Sequence, residues 1–387
     1  MGPRVAIIGC GIEGITTAIA LAQAGIEVAV YEQAPELGEV GAGVGMWANA
    51  LRALHPLGMS DAVLALSAGP VSQGVRLPEG RWLLRQPREA MEARWGAGFI
   101  SVHRAELHTL LASAVDPATI HLGVRCTGFE QTGATVRVHF ADGPPIETDV
   151  LVGADGVHSI VRSGLSGPAR LRYRGYTNWR GVTPPGSVPP IAEVTETWGR
   201  GARFGLQPTS GDRILWYAGR NVAAGGVDDV DVRPELLETF GHWHEPIAAV
   251  IEATPEGSFV RNDIYDCWPT KRWSRGAVTL VGDAVHPMTP DLGQGACQAI
   301  VDGTTLARCL AEIPDVPQAL DAYRRSRFRN AAIATLFARA WGNYGKWDRL
   351  LTCAIRNAAV RAMPLWLQLR QLDLVVGRPS RSTTPSR

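Results

Sequence analysis

Val5-Ala6-Ile7-Ile8-Gly9-Cys10-Gly11-Ile12-Glu13-Gly14 opens the chain and decides the fold. The apolar run Val5–Ile8 reads as a strand buried on both faces. A G-x-G-x-x-G turn follows, then an apolar helical stretch over Ile15–Ala24, then a second strand, Glu27–Tyr31, ending at Glu32, 18 residues beyond Gly14. The glycines allow a tight turn and the close approach of a pyrophosphate. The helix N-terminus supplies a favourable dipole, and the acid can take both hydroxyls of a ribose. A lone hexapeptide would carry little weight, but here strand, helix and acid stand where a dinucleotide site needs them. Glu13 fits its slot only if its carboxylate points away from the phosphates.

A second stretch has the same character. Ala277–Val281 reads as a short apolar strand that turns at Gly282-Asp283 and passes Pro287 and Pro290. Gly293-Gln294-Gly295 then opens a small-residue helix that runs past Asp302. Asp283, at a strand end, can accept hydrogen bonds from ribityl or ribose hydroxyls. Pro290 stiffens the loop. Gly293 and Gly295 lack a Cβ, so backbone N–H groups can approach an electron-rich ring edge or a phosphate. Alone, the stretch suits an ordinary strand–loop–helix corner equally well.

Two further motifs complete a set: Gly41-Ala42-Gly43-Val44-Gly45-Met46-Trp47-Ala48-Asn49-Ala50 and Val152-Gly153-Ala154-Asp155-Gly156-Val157-His158-Ser159. In this order, from about residue 4 to about residue 310, the four resemble the FAD-dependent aromatic-ring monooxygenases with one dinucleotide-binding domain. That group contains the salicylate, hydroxybenzoate and urate hydroxylases. The resemblance implies an α/β fold: a Rossmann-like, GR2-type FAD-binding domain, an inserted β-sheet substrate domain and C-terminal helices. The expected boundaries are 1–70, 99–172 and 263–310 for the FAD domain and 71–98 and 173–262 for the substrate domain. C-terminal helices are expected over 311–376, and a polar, disordered tail over 377–387. By resemblance, non-covalent FAD is held by Gly9, Gly11, Glu13, Gly14, Glu32, Gln33, Gly45, Arg104, Cys126, Asp155, Asp283, Gly293, Gln294, Gly295, Ala296 and Cys297. For Arg104, a solvated role capping a neighbouring carbonyl stands beside the cofactor role. Asp155 serves equally as an orienter of loops.

Composition narrows the class. The 387 residues are 45% hydrophobic, and 38 Lys and Arg face 37 Asp and Glu, so no overall charge points to nucleic acid or an acidic membrane surface. Six cysteines without C-x-x-C or metal spacing suit unpaired thiols in a reducing cytosol, and no metal site is expected. The first strand begins almost at once, leaving no room for a signal peptide, and no apolar run spans a bilayer. A cytoplasmic monomer or homodimer is expected.

Residues 172–262 read as strands: Tyr173–Gly181, Glu193–Thr197, Arg203–Leu206 and Ile214–Ala218. The hairpin Val75–Leu77 and Arg81–Leu84 should join their sheet. By resemblance to urate hydroxylases, Asn178 and Arg203 fall where a purine is bound, and Asp291 and Pro290 border the reacting edge of the flavin. Those enzymes carry a Tyr where this chain has Leu215. Trp179, Phe204, Leu206, Leu215 and Trp216 are expected to line the same pocket, with Arg203 favouring an anionic ring. His286, near Asp283 and Asp291, is a candidate proton carrier. The four arginines Arg324, Arg325, Arg327 and Arg329 read as a solvated helix face.

The implied reaction uses NADH or NADPH and O2 to hydroxylate an electron-rich aromatic small molecule through a flavin C4a-hydroperoxide. Only one dinucleotide motif is present, so the nicotinamide visits without its own domain. An epoxidase, a non-oxygenating reductase or, more distantly, a non-enzymatic carrier on the same scaffold remain open. The W-x-W-x-I-P of halogenases is absent.

Overall fold

The computed structural model describes residues 2–38, 43–228 and 231–378. Gly41, Ala42 and the tail 379–387 lie outside them. Val5–Ile8 is wholly buried and pairs in parallel with Val150–Gly153 on one side and Val28–Tyr31 on the other. Its apolar run without alternation follows from burial on both faces. The sheet continues through Val278–Leu280 to the antiparallel edge Ser274–Arg275, and on the far side to Ile120–His121.

The helix Ile12–Gln23 starts inside the glycine motif, with Gly11 as N-cap. Only glycine fits at two positions there. Gly9 has φ +103° and a Cβ on it would sit 2.3 Å from the Ala154 carbonyl oxygen. A Cβ on Gly14 would sit 2.0 Å from the Gly9 oxygen. The helix Gly295–Glu312 packs across Ile12–Gln23 at Gly303, where a Cβ would meet Thr17 Oγ1 at 2.6 Å.

A second sheet has seven strands in the order Val260–Asp266, Arg172–Val182, Arg213–Arg220, Ala202–Thr209, Glu193–Trp198, Ser72–Arg76, Trp82–Gln86. The 72–86 hairpin joins it by parallel pairing of Ser72–Arg76 with Glu193–Trp198. The edge strand runs on to Asp266, so the sheet crosses residue 263, where the chain was expected to have returned to the FAD domain. Strict alternation divides the sheet's faces. Trp179, Phe204, Leu206, Ile214, Trp216 and Ala218 form a separate core under the helices Arg233–Phe240 and Ile247–Ala253. Tyr176, Asn178, Arg203 and Tyr217 take the opposite face.

A long helix, Val316–Gly345, follows, capped by Asp315 accepting from Gln318 N at 2.9 Å. Arg327 departs from the expected solvated face: it is buried, and its Nε donates to Asp302 Oδ1 at 2.7 Å. Leu350–Ala362 and Leu365–Val376 are two helices, separated at Pro364. Among the described residues no helix is long and apolar enough to cross a membrane.

Candidate active site

The dinucleotide end is built from backbone. Glu32 closes the second strand, and its carboxylate accepts from Cys10 N and Ala34 N, each at 2.8 Å. Each oxygen keeps a lone pair for a ribose hydroxyl. The buried His108 ring lies 2.7 Å from the Cys10 oxygen and ties the glycine turn to the helix Arg104–Ala112. Glu13 lies along Gly282, whose added Cβ would meet its Cβ and Cγ at 3.1 and 3.4 Å. Gln33 is exposed. Cys126 is buried, its thiol pushed up to about 11 mainly by that burial.

Asp155 caps a helix. It accepts from Ser159 Oγ at 2.5 Å and from Ile160 N and Val161 N at 2.7 and 3.1 Å. Arg162 bridges this loop to the second one, donating to the Val157 oxygen and, at 2.9 Å, to the Ala284 oxygen. The positions of Asp155 and Asp283 are thereby linked.

Asp283 faces the N-terminus of the helix Gly295–Glu312 across a gap. A Cβ on Gly295 would have only Asp283 Oδ1 near it, at 4.0 Å. Burial pushes the Asp283 carboxyl pKa up, and His286, Arg104 and Arg162 offset this only in part. A carboxylate short of hydrogen-bond donors beside an uncapped helix N-terminus suits the hydroxyls and ring edge of a flavin. Gln294 is buried with its Nε2 unpaired, while its Oε1 takes Asn49 Nδ2 and Gln298 Nε2 at 3.1 and 2.8 Å. Cys297 lies beneath Ala296, donating to the Gly45 and Gly293 oxygens, and burial pushes its thiol up to about 12. Gly43 admits the second sheet, since an added Cβ would strike Leu215 Cδ1 at 2.3 Å, and Gly45 admits Phe99 of the FAD domain, whose Cζ an added Cβ would meet at 2.5 Å. These residues fit FAD.

His286 does not reach toward Asp291. Its Nε2 is 2.6 Å from Asp302 Oδ2, and the same oxygen accepts from Gly282 N at 3.1 Å. This buried His286–Asp302–Arg327 group fixes the Gly282-Asp283 turn from behind.

The reacting end is a buried polar chain. Asp291 accepts from the Tyr176 hydroxyl at 2.6 Å and pairs with Arg203 at 2.5 Å. Arg203 also donates to Glu196 at 3.2 Å, and Trp341 Nε1 donates to the other Glu196 oxygen at 3.2 Å. Tyr217 hydrogen-bonds Glu196. Burial, then Glu196, hold the Tyr217 phenol well above its ordinary value, so it stays a donor. Burial opposes the charge on Arg203, but Asp291 and Glu196 outweigh it. The long helix closes over this chain with two glycines. A Cβ at Gly342 would lie 2.3 Å from Asp291 Oδ2, and one at Gly345 would lie 2.7 Å from Arg203 Cδ.

A cavity with ≈ 940 Å³ of empty space, open mouth included, lies against this chain. Pro290, Asp291 and Gly293 form one end, and Met363 and Leu372 of the C-terminal helices line it too. Glu196, Tyr217 and Trp341 border it, with apolar Val75, Phe99, Val194 and Phe337 and the amides Gln73, Gln86, Gln207, Gln368 and Gln371. Among the described residues no Lys, Arg or His lines it.

Several expected positions differ. Arg203 is 2% exposed and sits one layer behind the wall, its charge already taken by two carboxylates. Asn178 is also buried outside the lining, with Oδ1 unpaired. Trp179, Phe204, Leu206 and Trp216 face the outer core, because side chains on a strand alternate. Leu215 abuts Gly43, and Tyr217, two residues on and on the same face, brings a phenol to the cavity. Reading the sequence missed Tyr217, Glu196, Trp341 and Arg180. The period-two signal from Arg203 and Asn178 could have located Tyr176, Arg180 and, across the hairpin, Tyr217. Arg180 is partly buried near Arg104 and the Asp291 chain, and burial, then Arg104, lowers its pKa.

Residues 3–338 match the model of the FAD binding domain family. The chain is 39% identical over 364 residues to the aurachin C monooxygenase/isomerase of Stigmatella aurantiaca, covering 94% of each chain. It is 36% identical to the 3-amino-4-hydroxybenzoate 2-monooxygenase of Streptomyces cremeus, covering 81% of this chain and 80% of that one. The crystal structure of Klebsiella pneumoniae HpxO complexed with FAD and uric acid superposes with a TM-score of 0.89 at 29% identity, covering 97% of both chains. The chain therefore belongs to the FAD binding domain family and is an FAD-dependent monooxygenase of aromatic or heteroaromatic substrates.

Proposed function

We propose that this enzyme uses NAD(P)H and O2 to hydroxylate a neutral, electron-rich aromatic or heteroaromatic ring that bears an apolar substituent. The overall change is ring C–H + NAD(P)H + H+ + O2 to ring C–OH + NAD(P)+ + H2O. Bound FAD supplies the redox chemistry, taking a hydride from the nicotinamide and activating O2. Glu32, Asp283 and the two helix N-termini would hold it, and Gly43 lets the second sheet approach the same site.

The observation that carries the substrate reading is that no cationic side chain is among the described residues lining the cavity. Arg203 is committed to Asp291 and Glu196, so a carboxylate substrate would be desolvated without a partner. Among the relatives, the aminohydroxybenzoate enzyme acts by its name on an acid, and the aurachin C enzyme does not bear an acid in its name. The cavity favours the second kind. Within it the Tyr217 hydroxyl and free amide groups orient a ring carbonyl or N–H. Asp291 and Glu196 are the acceptors for a proton released when the ring rearomatises, with Tyr217 linking the cavity to Glu196. The apolar walls exclude water from the reacting carbon.

The test is substrate-dependent NAD(P)H oxidation across matched pairs of neutral lactam or phenol rings and their carboxylic acids, under 18O2. The reading requires one labelled atom in the product and a preference for the neutral member. Label entering only from water refutes the oxygenase, and a preference for the acids refutes the substrate class.

A further inference from the structure

The C-terminal helical pair carries an apolar face that no described part of the chain covers. Leu350–Ala362 is docked by one side only: Cys353 and Val360 are buried, and Arg356 donates to the Tyr344, Gly345 and Gly199 oxygens at 3.1, 3.4 and 3.2 Å. The other side presents Leu351, Ile355, Ala358 and Ala362, whose spacing sets them in one stripe. Leu351 is 73% exposed and Ile355 57%, and Trp366, just past the Pro364 break, is 61% exposed. Scattered exposed apolar residues need no explanation, but a continuous exposed apolar stripe along one helix, followed by an exposed Trp on the next, does.

Charge is segregated to the same place. Residues 346–378 hold six Lys and Arg against two Asp, although the whole chain is only +1. Arg349, Arg361, Arg370 and Arg378 are exposed, and Asp373 is occupied by Arg94 and Arg378 at 2.6 and 2.8 Å. The sequence 379–387 adds Arg381 and Arg387 and no large apolar residue, so it supplies charge rather than an apolar cover.

We propose that this helical pair docks on an anionic lipid surface, lying in the headgroup plane with Leu351, Ile355 and Trp366 inserted and the arginines on lipid phosphates. Charge complementarity favours lipid over a second copy of the chain, because a two-fold contact would bring basic surfaces together. The pair's inner side includes Met363, Gln368 and Leu372 of the cavity wall, so docking sets the cavity beside the hydrocarbon. The proposal goes beyond the oxygenase reading and stands without it.

The experiment is flotation of the FAD-loaded full-length enzyme with vesicles of phosphatidylcholine alone or mixed with phosphatidylglycerol. At least tenfold more protein should float with the anionic vesicles, and high salt should reduce this. Leu351→Ser/Ile355→Ser and Arg361→Glu/Arg370→Glu should each abolish the gain, with flavin content and far-UV circular dichroism unchanged. The charge variant touches no core residue, so it serves even where the serine variant misfolds. No flotation, equal flotation on neutral vesicles, or a dimer in sedimentation equilibrium that the serine variant dissolves would overturn the proposal.

Discussion

Gly342→Ala sets helix propensity against packing at the reacting end. Gly342 lies in the last turn of the helix Val316–Gly345, where alanine would ordinarily add about 1 kcal/mol. Its Cβ would arrive 2.3 Å from Asp291 Oδ2, 2.8 Å from Cγ and 3.1 Å from the Tyr176 hydroxyl. Asp291 is not free to swing aside, being held by Arg203 at 2.5 Å and Tyr176 at 2.6 Å. If the carboxylate moves, a charge-assisted hydrogen bond of about 1.5–3 kcal/mol is lost. If the helix moves instead, overpacking costs about 1–3 kcal/mol. Against the propensity gain the net is a loss of up to about 2 kcal/mol, up to roughly 30-fold in the folded-to-unfolded ratio. Urea denaturation of the FAD-loaded enzyme should show a lowered midpoint, and turnover should waste NAD(P)H as Asp291 leaves its place. In an Asp291→Ala background the obstruction is gone, so the same substitution should be neutral or stabilising. A stabilised Gly342→Ala, or an equal effect in both backgrounds, refutes the reasoning.

Other consequences are measurable. Asp283→Ala and Glu32→Ala should each weaken FAD retention by about 1.5–3 kcal/mol, roughly tenfold or more, in equilibrium dialysis, and acid precipitation should leave all flavin in the supernatant. Burial alone would raise the Asp302 pKa, but His286 and Arg327 hold it below its ordinary 3.8. Its contribution to stability is therefore complete above about pH 4 and lost as pH falls from there toward the folded value. Asp302→Asn should be less stable at pH 7 and show a shallower acid limb; an unchanged limb contradicts the assignment. In native thiol titration Cys267, the only partly exposed one of the six cysteines, should react first. Cys297, with its thiol pushed up to about 12, should react only on unfolding; early labelling of it in peptide mapping would contradict its burial.

The cofactor half was legible in the chain alone. Gly9, Gly14, Glu32, Asp283 and Gly293 act through local chain geometry: turn, helix start and strand end lie within a few residues of one another, so spacing specifies them. The alternating strands of the second sheet were legible for the same reason, since period two is a local property. Which face of that sheet lines the cavity is not local, and there the sequence misled. Trp179, Phe204 and Trp216 look like pocket aromatics, yet tertiary packing turns them under two short helices and gives the cavity Tyr217 and Glu196. The charge state of the site was decided the same way. Arg203 reads as an anion receptor until Asp291 and Glu196, 88 residues after and seven before it, arrive to take its charge. Gly342 and Gly345 are unremarked in a long helix, and only the closure of that helix over the buried ion pairs makes them necessary. Partners so far apart in the chain are chosen by the fold, because what sets a buried charge is the sum of its neighbours in space.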